Sequence, residues 1–160
     1  MKKLDFEHTF KSISIQDIMN FEKKYNISLP ENYREFLLMN NGGKTKQRRF
    51  ETNDLTKEGK IISSIKLFYP LSKENEVNLE KMFVDFNLGQ IVPNKFLPIG
   101  SDPADNLICL SIESEDKNSV YHCDLDYLEE DGELKTEYIR LISRNFKEFI
   151  NSLYIPSQMK

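Results

Sequence analysis

The sequence has no tryptophan, only two cysteines and two histidines, and no long run of apolar residues. Two cysteines, Cys109 and Cys123, are too few for a disulfide framework, and neither belongs to a CxxC pair. A transmembrane helix needs roughly 18 consecutive apolar residues, and stretches such as 36–39 are far shorter. The first residues also lack the apolar core of a signal peptide. These absences predict a cytoplasmic protein with reduced thiols and no membrane contact.

The chain of 160 residues is 39% hydrophobic and 30% charged, with six glycines and six prolines. These proportions are typical of an ordinary globular protein and exclude collagen-like and disordered chains. A chain of this length buries about 70% of its unfolded surface. We therefore expect one domain with one substantial core.

Charge is distributed unevenly along the chain. Residues 113–137 contain ten acidic residues and two lysines, a net charge of −8, whereas the rest carries +4. A separate basic segment, residues 44–49, follows a glycine pair. The molecule is therefore expected to be electrically two-ended, which bears on its partners and association rates and not on its fold.

Two helices are predicted in the first quarter of the chain. Ser14 and Asp17 form a capping-box-like pair in which aspartate replaces the usual glutamate or glutamine, so a helix should begin at residue 15. Its expected apolar stripe is Ile15, Ile18, Met19 and Tyr25. Pro30 should open a second helix that residues 41–43 (Asn-Gly-Gly) end, because glycine tolerates left-handed conformations.

The remaining chain predicts clustered strands and two further helices. The expected strands are 49–51, 65–69, 107–112, 119–123 and 138–142. The apolar spacing predicts a helix over 75–87 and a closing amphipathic helix from near Ser143. Because the strands cluster and do not alternate with helices, the sequence favours an α+β fold, with a mostly antiparallel or mixed sheet and helices packed around it.

The common ligand-binding motifs are incomplete. Residues 43–45 (Gly-Lys-Thr) resemble the end of a P-loop, but Leu38 occupies the place of its first glycine and a helix precedes the segment. A calcium loop that began at Asp124 would place Glu129 where glycine is required. Zinc needs three or four nitrogen or sulfur ligands, and the cysteines and histidines are dispersed. We expect no nucleotide, metal or other cofactor.

Nucleophilic catalysis would have to use the cysteines and histidines. His122 and Cys123 are adjacent in a predicted strand, so their side chains point to opposite faces and cannot form a dyad. A pair of Cys109 with His122 across two strands stays open, although a buried cysteine in a core strand is the commoner case. We therefore expect that the protein is not an enzyme.

The two charged segments are the candidate binding surfaces. The basic segment lacks an aromatic platform for nucleic-acid bases, which favours a solvated loop. The acidic segment is interleaved with Tyr121, Tyr127, Leu128 and Tyr138, and aromatic side chains within a charged rim are typical of protein interfaces. A hydrophilic loop that only aids solubility is the alternative. The residues predicted to contact a partner are Asp124, Asp126, Tyr127, Glu129, Glu130 and Asp131.

Several segments resemble the signatures of the SUKH superfamily, the Smi/Knr-type proteins. Residues 27–43 resemble its opening signature, a leucine-proline-x-x-tyrosine helix that ends in asparagine-glycine-glycine. Residues 96–110 and 120–124 resemble the second and third signatures, and residues 146–150 resemble the closing helix. The order and spacing of these segments together carry the resemblance.

The resemblance covers residues 14–153 and has two local departures. Ala104 stands where glycine is frequent, and Cys123 where tryptophan is common. The resemblance implies a single α+β domain over residues 1–160, with its core at about 14–153, and no catalysis. Bacterial members are mostly immunity proteins of polymorphic toxin systems, which neutralise a toxin that is frequently a nuclease, whereas fungal members act in cell-wall regulation.

Charge and resemblance together predict a cytoplasmic immunity protein that occludes a cognate toxin, in the expected case a nuclease domain, without covalent chemistry. A nuclease cleft holds a polyanion, so the acidic segment could mimic that polyanion and raise the association rate. The alternative is a regulatory or scaffold module that recognises an endogenous protein. We expect no direct contact with nucleic acid, and the sequence leaves open whether the chain is a monomer or a homodimer.

Overall fold

The computed structural model of the protein describes residues 1–156. Its strands are β1 (Phe6–Phe10), β2 (Asn41–Thr45), β3 (Arg49–Glu51), β4 (Ile62–Ser64), β5 (Leu67–Phe68), β6 (Phe96–Ser101), β7 (Leu107–Ser111), β8 (Val120–Cys123) and β9 (Ile139–Ser143). Its α-helices are α1 (Ile15–Tyr25), α2 (Glu31–Met39), α3 (Leu79–Met82), α4 (Leu128–Asp131) and α5 (Phe146–Ser152). A π-helical segment (Phe83–Leu88) continues α3, and a 3-10 turn (Thr136–Tyr138) precedes β9.

Seven strands form one antiparallel sheet in the order β1-β2-β5-β6-β7-β8-β9, and β3 pairs separately with β4. The prediction of an α+β fold with a mostly antiparallel sheet is confirmed. The register places the end of β8 beside the start of β7 (Cys123 opposite Leu107) and the start of β7 beside the end of β6 (Leu107 opposite Ser101). Loops that leave these strands at that end of the sheet are therefore neighbours.

The central strands β6 and β7 are buried along their whole length because both faces of the sheet are covered. On one face, apolar side chains of β6, β7 and β8 pack against α1, α2 and α5 in the larger core cluster. On the other face, Phe96, Cys109 and Cys123 join a smaller cluster with Val92 and Leu134. Through Leu134, the smaller cluster anchors the loop between β8 and β9.

Helix α1 begins where the capping pair predicts, but its buried face is different. Ser14 accepts a hydrogen bond from the Asp17 backbone, and the Asp17 side chain accepts one from the Ser14 backbone, so the capping box is confirmed. Ile15 and Met19, expected in the apolar stripe, are about half exposed (49% and 51%), whereas Ile18 and Phe21 are buried. Of the predicted stripe, Ile18 and Tyr25 contact the core, whereas Ile15 and Met19 do not, because the buried face of the helix is centred on Ile18 and Phe21.

Residues 41–43 do not merely stop the second helix; they form most of strand β2. A Cβ atom at Gly43 would lie against the backbone oxygen of His8 in β1, and a Cβ atom at Gly42 would lie 2.6 Å from the backbone oxygen of Phe68 in β5. Both glycines also have positive φ angles. The glycine pair therefore allows β2 to pass between two close strands, a requirement that local turn propensity does not reveal.

Other boundaries differ from the predictions. The helix expected over 75–87 begins after the Asn78 cap and changes to a π-helical segment at Phe83. The strand expected over 65–69 is only Leu67–Phe68, and the closing helix begins at Phe146, after an Asn145 cap. Strand β1 and helix α4 are absent from the predictions because neither has a clear apolar period. Within residues 1–156 no helix has the length and apolarity needed to cross a membrane.

Candidate functional site: the acidic loop

The candidate site is the acidic loop, residues 124–137, which connects β8 to β9 at one end of the sheet. It contains seven acidic residues and one lysine, a net charge of −6. All six residues predicted to contact a partner lie within it. The loop follows a buried strand end, which fixes its position at the neck, and most of its acidic side chains are exposed.

Two backbone hydrogen bonds fix the neck of the acidic loop. The N–H of Asp124 donates to the carbonyl of Tyr138 (2.9 Å), which closes the loop on itself. The N–H of Leu125 donates to the side-chain oxygen of Asn106 (2.9 Å), which joins the loop to the turn between β6 and β7. The Asp124 side chain accepts from the N–H of Asp126 (2.9 Å) and so shapes the first turn.

The far side of the acidic loop is held by an apolar anchor. Leu134 is buried in the smaller core cluster, and its N–H donates to the carbonyl of Ile91 (3.1 Å). Between neck and anchor, the short helix α4 ends at Gly132, whose φ of 77° is left-handed and strains any residue with a Cβ. The loop contains three leucines, and the sequence does not distinguish the buried Leu134 from the half-buried Leu125 and Leu128.

An aromatic pair lies beside the carboxylates. The rings of Tyr127 and Tyr138 stack with centroids 4.9 Å apart and an angle of 19° between their planes. Tyr127 is 47% exposed. Burial raises the pKa of Tyr138, and the charges of Glu137 and Asp131 raise it further. The stack therefore presents apolar ring surface next to negative charge, a combination common in protein interfaces.

The predicted contact residues differ in accessibility. Asp126, Tyr127, Glu129 and Glu130 are exposed, whereas Asp124 and Asp131 are half-buried. Asp131 also forms an ion pair with Lys135 (3.4 Å). Among residues 1–156, no other carboxylate of the acidic loop forms an ion pair. The loop thus retains most of its negative charge for an approaching partner.

The acidic segment of the sequence is not one surface. Strand β8 divides it, so that Glu113 and Glu115 are exposed at the opposite end of the sheet from the acidic loop. Asp116 lies with them and is structural: it accepts hydrogen bonds from Lys95 (2.7 Å), Tyr121 (2.5 Å) and Ser111 (2.9 Å). Burial would raise the pKa of Asp116, but these bonds lower it below its usual value. Tyr121 is consequently not part of the aromatic surface at the loop.

The basic segment, residues 44–49, lies at the same end of the sheet as the acidic loop. It follows β2, whose Gly43 is opposite Phe68, and neighbouring strands β5, β6 and β7 then lead across the same sheet end to β8. Four strand spacings of about 4.8 Å separate β2 from β8, or about 19 Å. The two oppositely charged segments therefore leave the same end of the sheet, separated by the strands between β2 and β8.

Asp102, in the turn after β6, is the centre of a buried polar network. Its carboxylate accepts hydrogen bonds from the backbones of Ala104 and Asn106 (2.9 Å each) and from Ser63 (3.3 Å), and it contacts Nε2 of His122 at 3.0 Å. Burial would raise the pKa of Asp102, but the bonds from His122 and Asn106 lower it below 3.8. Because Asn106 also holds Leu125, this network positions the neck of the acidic loop. A polar turn between apolar strands was visible in sequence, but its link to the loop was not.

The cysteines and His122 lie on different faces of the sheet. Cys109 is opposite Tyr121 and Ile108 is opposite His122, so the pair of Cys109 with His122 that the sequence left open is excluded. Cys109 and Cys123 are both buried in the smaller cluster, and burial raises the pKa of the Cys109 thiol well above its usual value. Within residues 1–156, no three histidine, cysteine or acidic side chains converge as metal ligands.

Comparison with known proteins identifies a matching family and a similar protein. The sequence model of the SMI1/KNR4 family (SUKH-1) matches residues 12–152. A protein of Bacillus subtilis (strain 168), which carries the name uncharacterized protein YobM, is 30% identical over 104 residues. This alignment covers 62% of the present chain and 53% of YobM, so the chain spans about half the length of that relative.

Proposed function

The chain belongs to the SMI1/KNR4 family (SUKH-1), and on that basis we propose that it is an immunity protein that neutralises a cognate toxin domain by binding it. Family membership supports an immunity-like or related role. The finer assignment, occlusion of a basic catalytic cleft by the acidic loop, is supported by one observation above all. The loop holds exposed carboxylates without internal partners around a stacked tyrosine pair.

The proposed partner is a nuclease domain because its chemistry complements the loop. A nuclease binds phosphates, so its cleft is basic, and a surface of net charge −6 can occupy the same positions as the polyanion. Opposite charges raise the rate of encounter, and exposed aromatic rings such as Tyr127 supply contact area once the complex has formed. Binding then blocks substrate without any reaction on the immunity protein, so neither catalysis nor a cofactor is invoked.

Co-expression with a neighbouring toxin gene tests the proposal. We expect a gene for a large toxin with a nuclease domain beside this one, and we expect its isolated domain to be harmless when co-expressed with this chain and to co-purify with it. The variant E129K/E130K should reduce protection. The matched control E113K/E115K changes the same number of exposed carboxylates at the other end of the sheet and should protect normally.

Two outcomes would contradict the proposal. Toxicity that persists despite soluble, folded immunity protein would exclude neutralisation. Equal loss of protection in both double variants would exclude the acidic loop as the specific surface and leave a general charge effect. A chain whose gene has no toxin neighbour and which instead co-purifies with an endogenous protein would be a regulatory module, the alternative that the sequence leaves open.

A further inference from the structure

A cationic groove lies across the 102–106 turn from the acidic loop. The groove has a volume of about 740 Å³ and is bordered by Lys44, Lys46, Arg48, Lys66, Pro103 and Ile155. Glu7 is the only acidic residue among the side chains that line it. Its floor includes buried residues of the β2 and β4 region, so the cations stand around a depression and not on a convex surface.

The cations of the groove are largely uncommitted. Lys66 pairs with Asp105 (2.5 Å), whereas the ion pairs found among residues 1–156 include none made by Lys44, Lys46 or Arg48. Lys44 and Lys46 are exposed and Arg48 is half-buried. The groove therefore offers an unneutralised positive field over a concave surface, which is a binding site for an acidic segment.

The same turn borders both charged sites. Pro103 lines the cationic groove, and Asn106, three residues later, accepts the hydrogen bond from Leu125 in the acidic loop. The two sites thus lie at one end of the sheet, on either side of a turn that the buried carboxylate of Asp102 holds rigid. The rigid turn keeps the loop and the groove apart, so neither site neutralises the other within one molecule.

From this arrangement we infer that the cationic groove receives the acidic loop of a second copy of the chain. The two-fold axis of this dimer lies midway between the loop and the groove and is perpendicular to the line that joins them. Rotation about this axis places the loop of each copy on the groove of the other copy. Both contacts form at once and the assembly closes as a dimer, as isologous interfaces require. The occupant is chosen by charge complementarity: the loop carries −6 and the groove lining carries four cations against one acid. This inference involves no partner but the chain itself, and its test measures the oligomeric state without toxin. Because the proposed toxin contact uses the same acidic loop, a toxin must displace the second copy in order to bind.

A charge-swap experiment tests the dimer. The groove variant is K44E/K46E, the loop variant is E129K/E130K, and the control is E113K/E115K at the opposite end of the sheet. Sedimentation velocity at about 20 mM and about 500 mM salt follows the oligomeric state, because salt at the higher concentration screens such pairs. The wild type and the control should dimerise at low salt and dissociate at high salt.

Each charge-swapped variant alone should dimerise at least about tenfold more weakly than the wild type. In K44E/K46E the groove lining becomes net negative and repels the loop, and in E129K/E130K the loop keeps only a small part of its negative charge. An equimolar mixture of the two should dimerise more strongly than either variant alone, since each mixed pair contains one wild-type contact, the unaltered loop of K44E/K46E on the unaltered groove of E129K/E130K. This recovery also shows that both variants are folded. If either variant fails to fold, the neutral forms K44Q/K46Q and E129Q/E130Q replace them and should both weaken the dimer.

The inference is overturned if the wild type is monomeric at low salt, if the variants dimerise as the wild type does, or if the mixture stays monomeric. Assembly into species larger than a dimer would exclude the two-fold arrangement. A monomeric wild type that retains a single-stranded oligonucleotide, with retention lost in K44E/K46E, would assign the groove to nucleic acid and reject the second copy as its occupant.

Discussion

The turn after β6 and the acidic loop both lie at the same end of the sheet, but the carboxylates of the turn are bonded within the protein whereas most of those in the loop are exposed. In the turn after β6, the buried carboxylate of Asp102 accepts hydrogen bonds from several groups of the protein, among them His122. In the acidic loop, Glu129 and Glu130 are exposed and have no ion-pair partner among residues 1–156. The comparison separates residues that build the fold from residues that are available for binding.

This contrast indicates how the signature-like segments contribute to the fold. Residues 96–110 and 120–124 contain Asp102 and His122, which stabilise the sheet end from inside. The acidic loop follows these segments and is held only at its neck and at Leu134. Its exposed side chains can therefore change without loss of the core, as recognition of different partners requires.

The largest effect is expected at Asp102. The substitution D102A leaves His122 and the N–H of Asn106 buried without their acceptor, removes the part-buried bond from the N–H of Ala104, and should lower the free energy of unfolding by about 3 kcal/mol. Urea denaturation followed by circular dichroism measures this loss. The control D126A removes an exposed carboxylate of the acidic loop and should change stability by less than about 0.5 kcal/mol. Similar losses of stability in D102A and D126A would contradict the distinction between a structural turn and an exposed acidic loop.

A smaller effect is expected at the anchor of the acidic loop. The substitution L134A removes a buried side chain from the smaller cluster and should cost about 2 kcal/mol, the lower end for a core leucine. It should also accelerate amide hydrogen exchange over 124–137 without changing the charge of the loop. Leu128, which is half-buried in the same loop, provides a control, since L128A should lower the free energy of unfolding by less than L134A does. Unchanged exchange in L134A would show that the neck alone holds the loop.

Acid titration sharpens the comparison further. Because the folded-state pKa of Asp102 lies below 3.8, its ionised form stabilises the fold at pH values above 3.8, and this stabilisation is lost as the pH falls through the folded pKa. We expect the difference in unfolding free energy between the wild type and D102N, which does not titrate at this position, to shrink as the pH falls below 3.8. A difference that is constant from pH 7 to about pH 2 would contradict the assigned role of the carboxylate.

The sequence predicts much of this architecture because many helix caps and apolar patterns agree with the packing of the folded protein. The Ser14 capping box, the buried strands β7 and β8 and the closing helix α5 follow from caps and apolar periodicity. Strand β1 was missed because its apolar residues alternate too weakly and its pairing with β2 depends on Gly43.

The candidate site was only partly predictable. Charge density marked the acidic segment as one surface, although the predicted strand over 119–123 already divides it and places Glu113 and Asp116 at the other end of the sheet from the acidic loop. The hydrogen bond of Leu125 to Asn106 depends on the order of strands in the sheet, which local patterns do not encode. The same limitation concealed the proximity of the basic segment to the acidic loop.

The smallest effect on stability is expected from charge reversal in the acidic loop. The variant E129K/E130K should unfold within about 0.5 kcal/mol of the wild type, because both side chains are exposed and lack internal partners. Thermal unfolding measures this difference, with E113K/E115K as the matched variant. A large loss of stability confined to E129K/E130K would show that these carboxylates stabilise the fold. The acidic loop would then be structural, like the turn that contains Asp102.

Stopped-flow association with the neighbouring toxin's nuclease domain tests the central claim most directly. At about 20 mM salt, and at concentrations low enough to keep every variant monomeric, E129K/E130K should associate at least about tenfold more slowly than the wild type, whereas E113K/E115K should be close to it. At about 500 mM salt the differences should largely disappear. Equal association rates for the wild type and E129K/E130K at low salt would contradict the claim that the acidic loop is the surface that captures the partner.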